Sequence, residues 1–175
     1  MALTLLLGGA RSGKSALAVR RARRFGGPVV FVATGEPGDA EMVERIARHR
    51  AERPAGWTTV EAPLELAAAL AAAPEDACAI VDCLSLWVAN LLLRGDDEDA
   101  VAASAVESAR LAAARPGATI AVTNEVGMGV VPVHELGRRY RDVLGRVNAV
   151  WAGAAAEAAL VVAGRPLALG ASDDA

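Results

Sequence analysis

The sequence predicts an α/β protein with a mostly parallel central sheet flanked by helices. Three observations predict it. Short apolar runs recur along the chain, separated by segments of helical composition and period. The first of those runs, Leu3 to Leu7, is short and continuous with Thr4 its one polar residue, as in a strand covered on both faces. The first run ends in a glycine-rich loop that opens a helix, the strand–loop–helix order of a parallel unit.

The elements follow in order. Leu3 to Leu7 is the first strand, cut short by Gly8-Gly9. A helix runs from Ser15 to Phe25 and is closed by Gly26-Gly27. Val29 to Ala33 is a second buried strand. After a turn from Thr34 to Asp39, Asp39 is placed to cap a helix to about Arg53, which Pro54 ends. Met42, Val43, Ile46 and Ala47 form the apolar face of that helix. Thr58 to Val60 reads as a short strand. Pro63 suits the first turn of an alanine-rich helix ending near Pro74. Cys78 to Val81 is a buried strand ending at Asp82, and Ser85 to Leu93 is helical. The acidic run Asp96 to Asp99 reads as a solvated loop and the cap of a helix to about Arg115, broken by Pro116-Gly117. Thr119 to Thr123 is a strand, Asn124 to Pro132 a loop and His134 to Glu157 a long helix. Leu160 to Ala163 and Leu167 to Leu169 read as terminal strands.

No repeat or linker interrupts this order. The 175 residues are the usual size of one domain, so a single nucleotide-binding domain is expected over residues 1–175. Aromatic residues are only 3%, so small and β-branched side chains must build the core. A net charge of −3 gives no reason to expect nucleic acid or an anionic membrane as partner. Cys78 and Cys83 have neither zinc nor disulfide spacing and read as small buried hydrophobes. There is no basic leader and no run of the roughly 20 apolar residues that a membrane span needs. A reduced, cytoplasmic protein is the expectation.

Residues 8–15 read Gly-Gly-Ala-Arg-Ser-Gly-Lys-Ser and fit the phosphate-loop pattern G-x-x-x-x-G-K-[ST] in full. Gly8 and Gly13 let the backbone wrap with its N–H groups turned inward, across Gly9, Ala10, Arg11 and Ser12. The helix N-terminus adds the positive end of its dipole. Lys14 is the only lysine in the chain, through coding bias or because arginine will not serve there. It reaches the β and γ phosphates as a compact charge, and Ser15 can ligate Mg²⁺. Asp82, at the end of a buried strand, can hold the same ion through water, though apolar residues followed by Asp are a common pattern. Glu125 reads equally as a crevice carboxylate and as a loop charge.

The helix after Asp39 carries His49 at the margin of its apolar face, with Arg45 and Arg53 one turn to either side. Such a pair disfavours imidazolium, and a neutral imidazole is a nucleophile. Taken alone, the segment reads more simply as a surface helix with an incidental histidine. His134 reads as a surface residue.

Together these residues resemble the bifunctional adenosylcobinamide kinase / adenosylcobinamide-phosphate guanylyltransferase family of cobalamin biosynthesis. The matching segments are 8–15, Val32-Ala-Thr34, Glu41-Met42, Arg45-Ile46, His49-Arg50, Arg53-Pro54, Trp57, Glu61, 123–132, Arg141-Asp142 and 145–148. The phosphate loop is shared with many enzymes; its combination with Asn124-Glu-Val-Gly-Met-Gly129 and the His49 helix is specific.

The resemblance implies a RecA-like phosphate-loop fold, a homotrimer, and ATP or GTP with Mg²⁺. It implies phosphorylation of adenosylcobinamide, then GMP transfer from GTP to adenosylcobinamide phosphate through a histidine phosphoramidate. On this sequence His49 and Lys14 would be catalytic. Gly8 to Ser15, Ala33, Thr34, Gly35, Arg50, Ala51, Glu52, Arg53, Glu61 and Asp82 would meet the nucleotide, and Ser15 and Asp82 the metal. Some relatives carry a second histidine where Arg48 stands, and some a glutamate where Asp82 stands. A different small-molecule kinase explains residues 8–15 and Asp82 but gives His49 no role. A non-catalytic nucleotide sensor is the other alternative.

Overall fold

The computed structural model describes residues 2–38, 40–51 and 53–170, apart from the side chains at 41, 42 and 45. The elements in chain order are β1 (Leu3–Leu7), α1 (Lys14–Arg23), β2 (Val29–Ala33), α2 (Ala40–Ala51), β3 (Thr58–Glu61), α3 (Leu66–Ala72) and β4 (Cys78–Asp82). They continue with α4 (Leu84–Arg94), α5 (Glu98–Ala114), β5 (Thr119–Val122), α6 (Glu135–Ala154), β6 (Glu157–Val162) and β7 (Arg165–Leu169). The strands form one seven-stranded sheet in the order β3-β2-β4-β5-β1-β6-β7. All neighbours are parallel except β7, which returns antiparallel on β6.

Strand alternation divides the core between the two faces. Leu3, Leu5, Leu7, Val30, Val32, Ala79 and Val81 pack with buried residues of α3, α4, α5 and α6. Leu6, Phe31, Ile80, Ile120 and Val122 pack with Leu17, Ala18 and Ala22 of α1. Trp87 and Trp151 supply the bulk that few other residues here provide, and both are fully buried. Among the described residues, no helix is long and apolar enough to cross a membrane.

Asp97 caps α5, its side chain accepting from the Ala100 N–H at 2.7 Å, as the acidic run predicted. The predicted cap at Asp39 lies outside the described residues. Two expectations are corrected. The last helix stops at Ala154, not Glu157, because Glu157 pairs with Thr4 of β1. Strand pairing thus overrides the helix propensity of the alanine run. The helix expected from Pro63 begins at Leu66. Pro63 lies in the connection, where its carbonyl accepts from Asn90 Nδ2 at 3.1 Å. The described apolar positions of α2 stand off the sheet. Val43 and Ala47 are exposed, Ile46 is half-buried, and no described residue of α2 joins either core cluster.

Candidate active site

Six parallel strands bring their carboxyl ends to one edge of the sheet, where open α/β sheets bind ligands. β1 leads into Gly8 and β5 into Thr123, while Ala33 stands between Asp82 and Glu61 in the register of β2 with its neighbours.

The loop from Gly8 to Ser15 is held by its neighbours. The Glu125 N–H donates to Gly8 O at 3.1 Å, and the Gly164 N–H to Ser12 O at 2.8 Å. A turn inside the loop joins the Ser12 N–H to Gly9 O at 3.3 Å. Gly13, at φ 93°, precedes α1, which has no side-chain cap bond. Gly9, Ala10 and Arg11 are exposed at the crown, whereas Lys14 is buried. Lys14 Nζ donates to Gly9 O at 2.7 Å and reaches Ser12 Oγ at 3.5 Å, so the ammonium is folded over the loop it serves.

Asp82 draws the site together. It keeps some surface towards the mouth but is enclosed by protein elsewhere, and that desolvation raises its carboxyl above the ordinary value. A hydrogen bond from Ser15 opposes the rise, as do the nearby charges of His49, Arg53 and Lys14. Ser15, His49, Arg53 and Lys14 thus all act on one carboxylate.

Arg53 lies 3.7 Å over the Phe31 ring and donates to Thr59 Oγ1 at 3.1 Å. Burial lowers its pKa, Arg50 lowers it further, and Asp82 and Glu61 oppose. Its Nε is buried and has no partner among the described residues. Arg50 bonds Glu61 across the mouth. His49 is half-buried and Ala51 exposed, and Glu52 lies outside the described residues. The side chain of Arg45, expected beside His49, is likewise not described.

Thr34 and Gly35 follow β2. Thr34 is fully buried, and its hydroxyl donates to Cys83 O and accepts from the Cys83 N–H, both at 2.7 Å. That hydroxyl therefore fixes the chain just beyond Asp82. The Asp82–Cys83 peptide is cis. Gly35 lies near Ile46 of α2 and Leu86 of α4. Cys78 and Cys83 are free; Cys78 is buried as expected, whereas Cys83 is half-buried. Burial, with Asp82 adding, pushes the Cys83 thiol up to about 11, so it stays protonated beside Ser85 Oγ. The Glu125 carboxylate accepts from the Gly127 N–H at 2.6 Å and shapes its own loop.

Sequence reasoning missed two supports. Asn90 Nδ2 holds the Thr34 carbonyl at 2.8 Å. Asn148, buried on α6, accepts from Thr123 Oγ1 at 2.7 Å and donates to Asn124 O at 3.0 Å, pinning the exit of β5. An asparagine among apolar helix positions was the available signal, since a buried amide needs partners. The resemblance had included Asn148 without giving it a task.

Such an edge is suited to handling phosphate, and the class it defines is the nucleotide-dependent transferases. Residues 4–169 match the family model for cobinamide kinase / cobinamide phosphate guanyltransferase. The chain is 47% identical to the bifunctional adenosylcobalamin biosynthesis protein CobP of Pseudomonas aeruginosa, covering 94% of this chain and 95% of that one. It is 41% identical to the CobU protein of Salmonella typhimurium, covering 93% and 96%. The chain belongs to the cobinamide kinase / cobinamide phosphate guanyltransferase family, and it is an enzyme.

Two solved structures share the fold alone. One is a prototypical ATPase from a bacterial type III secretion system, at TM-score 0.55 and 14% identity over 91% of this chain and 50% of that one. The other is a protein of Pyrococcus horikoshii OT3, at TM-score 0.58 and 7% identity over 99% and 88%.

Proposed function

We propose that both reactions of this bifunctional enzyme run at the one carboxyl edge described above, on a phosphate-loop, RecA-like fold. In the first, the hydroxyl of adenosylcobinamide attacks the γ-phosphorus of ATP or GTP. The bond to the β-phosphate breaks, the nucleoside diphosphate leaves and the hydroxyl proton passes to water. In the second, a ring nitrogen of His49 attacks the α-phosphorus of GTP and pyrophosphate leaves. A phosphate oxygen of adenosylcobinamide phosphate then displaces the imidazole, giving adenosylcobinamide-GDP.

One observation carries this reading: the glycine loop, with Lys14 folded over it, and Asp82 at the end of β4 stand at the same carboxyl edge of the sheet, where Ser15, His49, Arg53 and Lys14 all act on the Asp82 carboxyl. In the proposed complex Lys14 exchanges Gly9 O for phosphate oxygen, and the loop amides from Gly8 to Gly13 offset the phosphate charge. The unpartnered Arg53 Nε supports an acceptor arriving beside it. The resemblance assigns Ala33, Thr34, Gly35, Arg50, Ala51, Glu52 and Glu61 to the nucleotide as well.

Ser15 and Asp82 fit Mg²⁺. They are two hard oxygen donors, Ser15 acting on the Asp82 carboxyl, and Mg²⁺ commonly takes one or two protein oxygens beside substrate phosphates and water. Among the described residues, no cluster of three or more His, Cys, Asp or Glu offers a complete protein cage. Bound there, the ion would neutralise charge on the transferred phosphoryl group. The resemblance further supports a cytoplasmic homotrimer, each chain one nucleotide-binding domain over residues 1–175.

Incubation with α-labelled GTP and Mg²⁺ tests this. The wild-type chain should acquire an acid-labile label, and His49→Ala should acquire none. Equal labelling of both would remove His49 from the mechanism.

A further inference from the structure

We propose that the loop from Met128 to Leu136 is the surface on which the corrin ring of the acceptor docks. This rests on the functional reading above, in which the acceptor is adenosylcobinamide. The loop leaves four large apolar side chains in water before α6 begins. Val130 is 94% exposed, Val133 88%, Met128 79% and Val131 56%. Leu136, in the first turn of α6, adds a fifth at 51%. Soluble proteins rarely leave such a run uncovered without a partner for it.

The loop is held in shape while it makes this display. At one end the Glu125 carboxylate accepts from the Gly127 N–H. At the other, Arg138 Nη1 donates to Pro132 O at 3.2 Å and to Val133 O at 2.5 Å. Gly137 lets α6 approach closely, since a Cβ there would meet Pro132 Cβ at 2.9 Å. The backbone is thus braced from its own chain, and the apolar side chains are left to face outward.

Position selects the occupant. The Glu125 N–H bonds Gly8 O, so the loop springs from the wall of the phosphate site. Met128 is three residues further on, within about 11 Å of chain even if fully extended. A substrate whose hydroxyl must reach a phosphate there, on a short flexible arm, has to rest its bulk close by. A corrin offers a broad methyl-bearing face with amides around its rim, suited to an apolar patch edged by polar backbone. Leu167 and Leu169 are also exposed, but they lie on the edge strand β7, separated from β1 by β6, whereas the Met128 loop follows β5, which pairs with β1 directly.

The test is a Val130→Ser/Val133→Ser variant, with Val130→Leu as the conservative control. Three quantities are measured for each chain: the KM for adenosylcobinamide, the extent of GTP labelling, and the oligomeric mass. The double variant should raise the corrinoid KM at least tenfold while labelling by GTP and mass stay at wild-type levels, and Val130→Leu should keep the wild-type KM. An unchanged KM in the double variant overturns the docking surface. A fall in oligomeric mass would assign the loop to a second copy of the chain and overturn it too. Failure of the wild-type chain to turn over adenosylcobinamide would strike the functional reading itself, and this inference with it.

Discussion

Replacing Gly8 by alanine should disable the enzyme, whereas the same change at Gly9 should leave the fold intact. A Cβ at Gly8 would stand 2.4 Å from the Val161 carbonyl oxygen and 2.9 Å from Ser12 Oγ. To regain even a 3.0 Å contact, the two backbones must part by about 0.6 Å. Val161 cannot easily yield, being fully buried in β6 between β1 and β7. Gly8 also sits at φ 153°, where side-chain-bearing residues are strained. Overpacking costs about 1–3 kcal/mol and the backbone strain about as much again, together about 2–6 kcal/mol. At about 2–4 °C per kcal/mol for a chain of this size, Tm should fall by roughly 5–20 °C. If the loop gives way instead, GTP affinity should fall at least about thirtyfold. A Cβ at Gly9 meets nothing within 4 Å, so Gly9→Ala should hold Tm within about 2 °C. Thermal melts and titration with a fluorescent GTP analogue read both quantities. A Gly8→Ala chain with wild-type Tm and wild-type GTP affinity would refute this account of the loop.

Other outcomes follow from the same geometry. Lys14→Ala should lower both activities at least about a hundredfold, since the proposed function has one phosphate site serve both. His49→Ala should spare the kinase and stop guanylyl transfer, and equal loss of both in a folded His49→Ala chain would contradict separate roles. Arg115 is buried and donates to the carbonyls of Leu70, Ala73, Pro74 and Ala77 at 2.8–3.1 Å. Arg115→Met should cost about 3–5 kcal/mol in urea denaturation, since four acceptors lose their donors. Asp82 has its folded pKa raised by burial, so its charge opposes folding above that pKa, and stability returns as pH falls towards the unfolded value of 3.8. Asp82→Asn should therefore melt higher than wild type at neutral pH without Mg²⁺, lose this advantage as pH falls towards 3.8, and be inactive throughout. A lower melting point at neutral pH would reverse the sign argued here.

The sheet was legible because β1, β2, β4 and β5 are continuous apolar runs, a pattern that few other elements produce. The glycine loop was legible because its spacing is set by phosphate chemistry. Strand order was not, since pairing partners far apart in sequence leave no local mark. That gap hid the turn at Gly164, whose N–H braces Ser12 from the far end of the chain. The end of α6 was misjudged because Ala154-Ala-Ala156 favours helix locally and only the partner strand says otherwise. The apolar positions of α2 predicted a helix correctly but not its seat. Ile46 packs near Gly35 and Leu86 at the mouth, which period alone cannot distinguish from a sheet face. Thr34 was assigned to the nucleotide by resemblance; its hydroxyl is engaged with Cys83, a contact across 49 positions that no motif encodes.

The most direct measurement is a crystal structure with Mg²⁺ and a non-hydrolysable GTP analogue. The triphosphate should lie along residues 8–15, with Lys14 on phosphate oxygen, the metal between Ser15 and Asp82, and a His49 ring nitrogen about 3–3.5 Å from the α-phosphorus. An analogue bound away from this loop, or one bound in it with the His49 ring turned out of reach, would contradict the account.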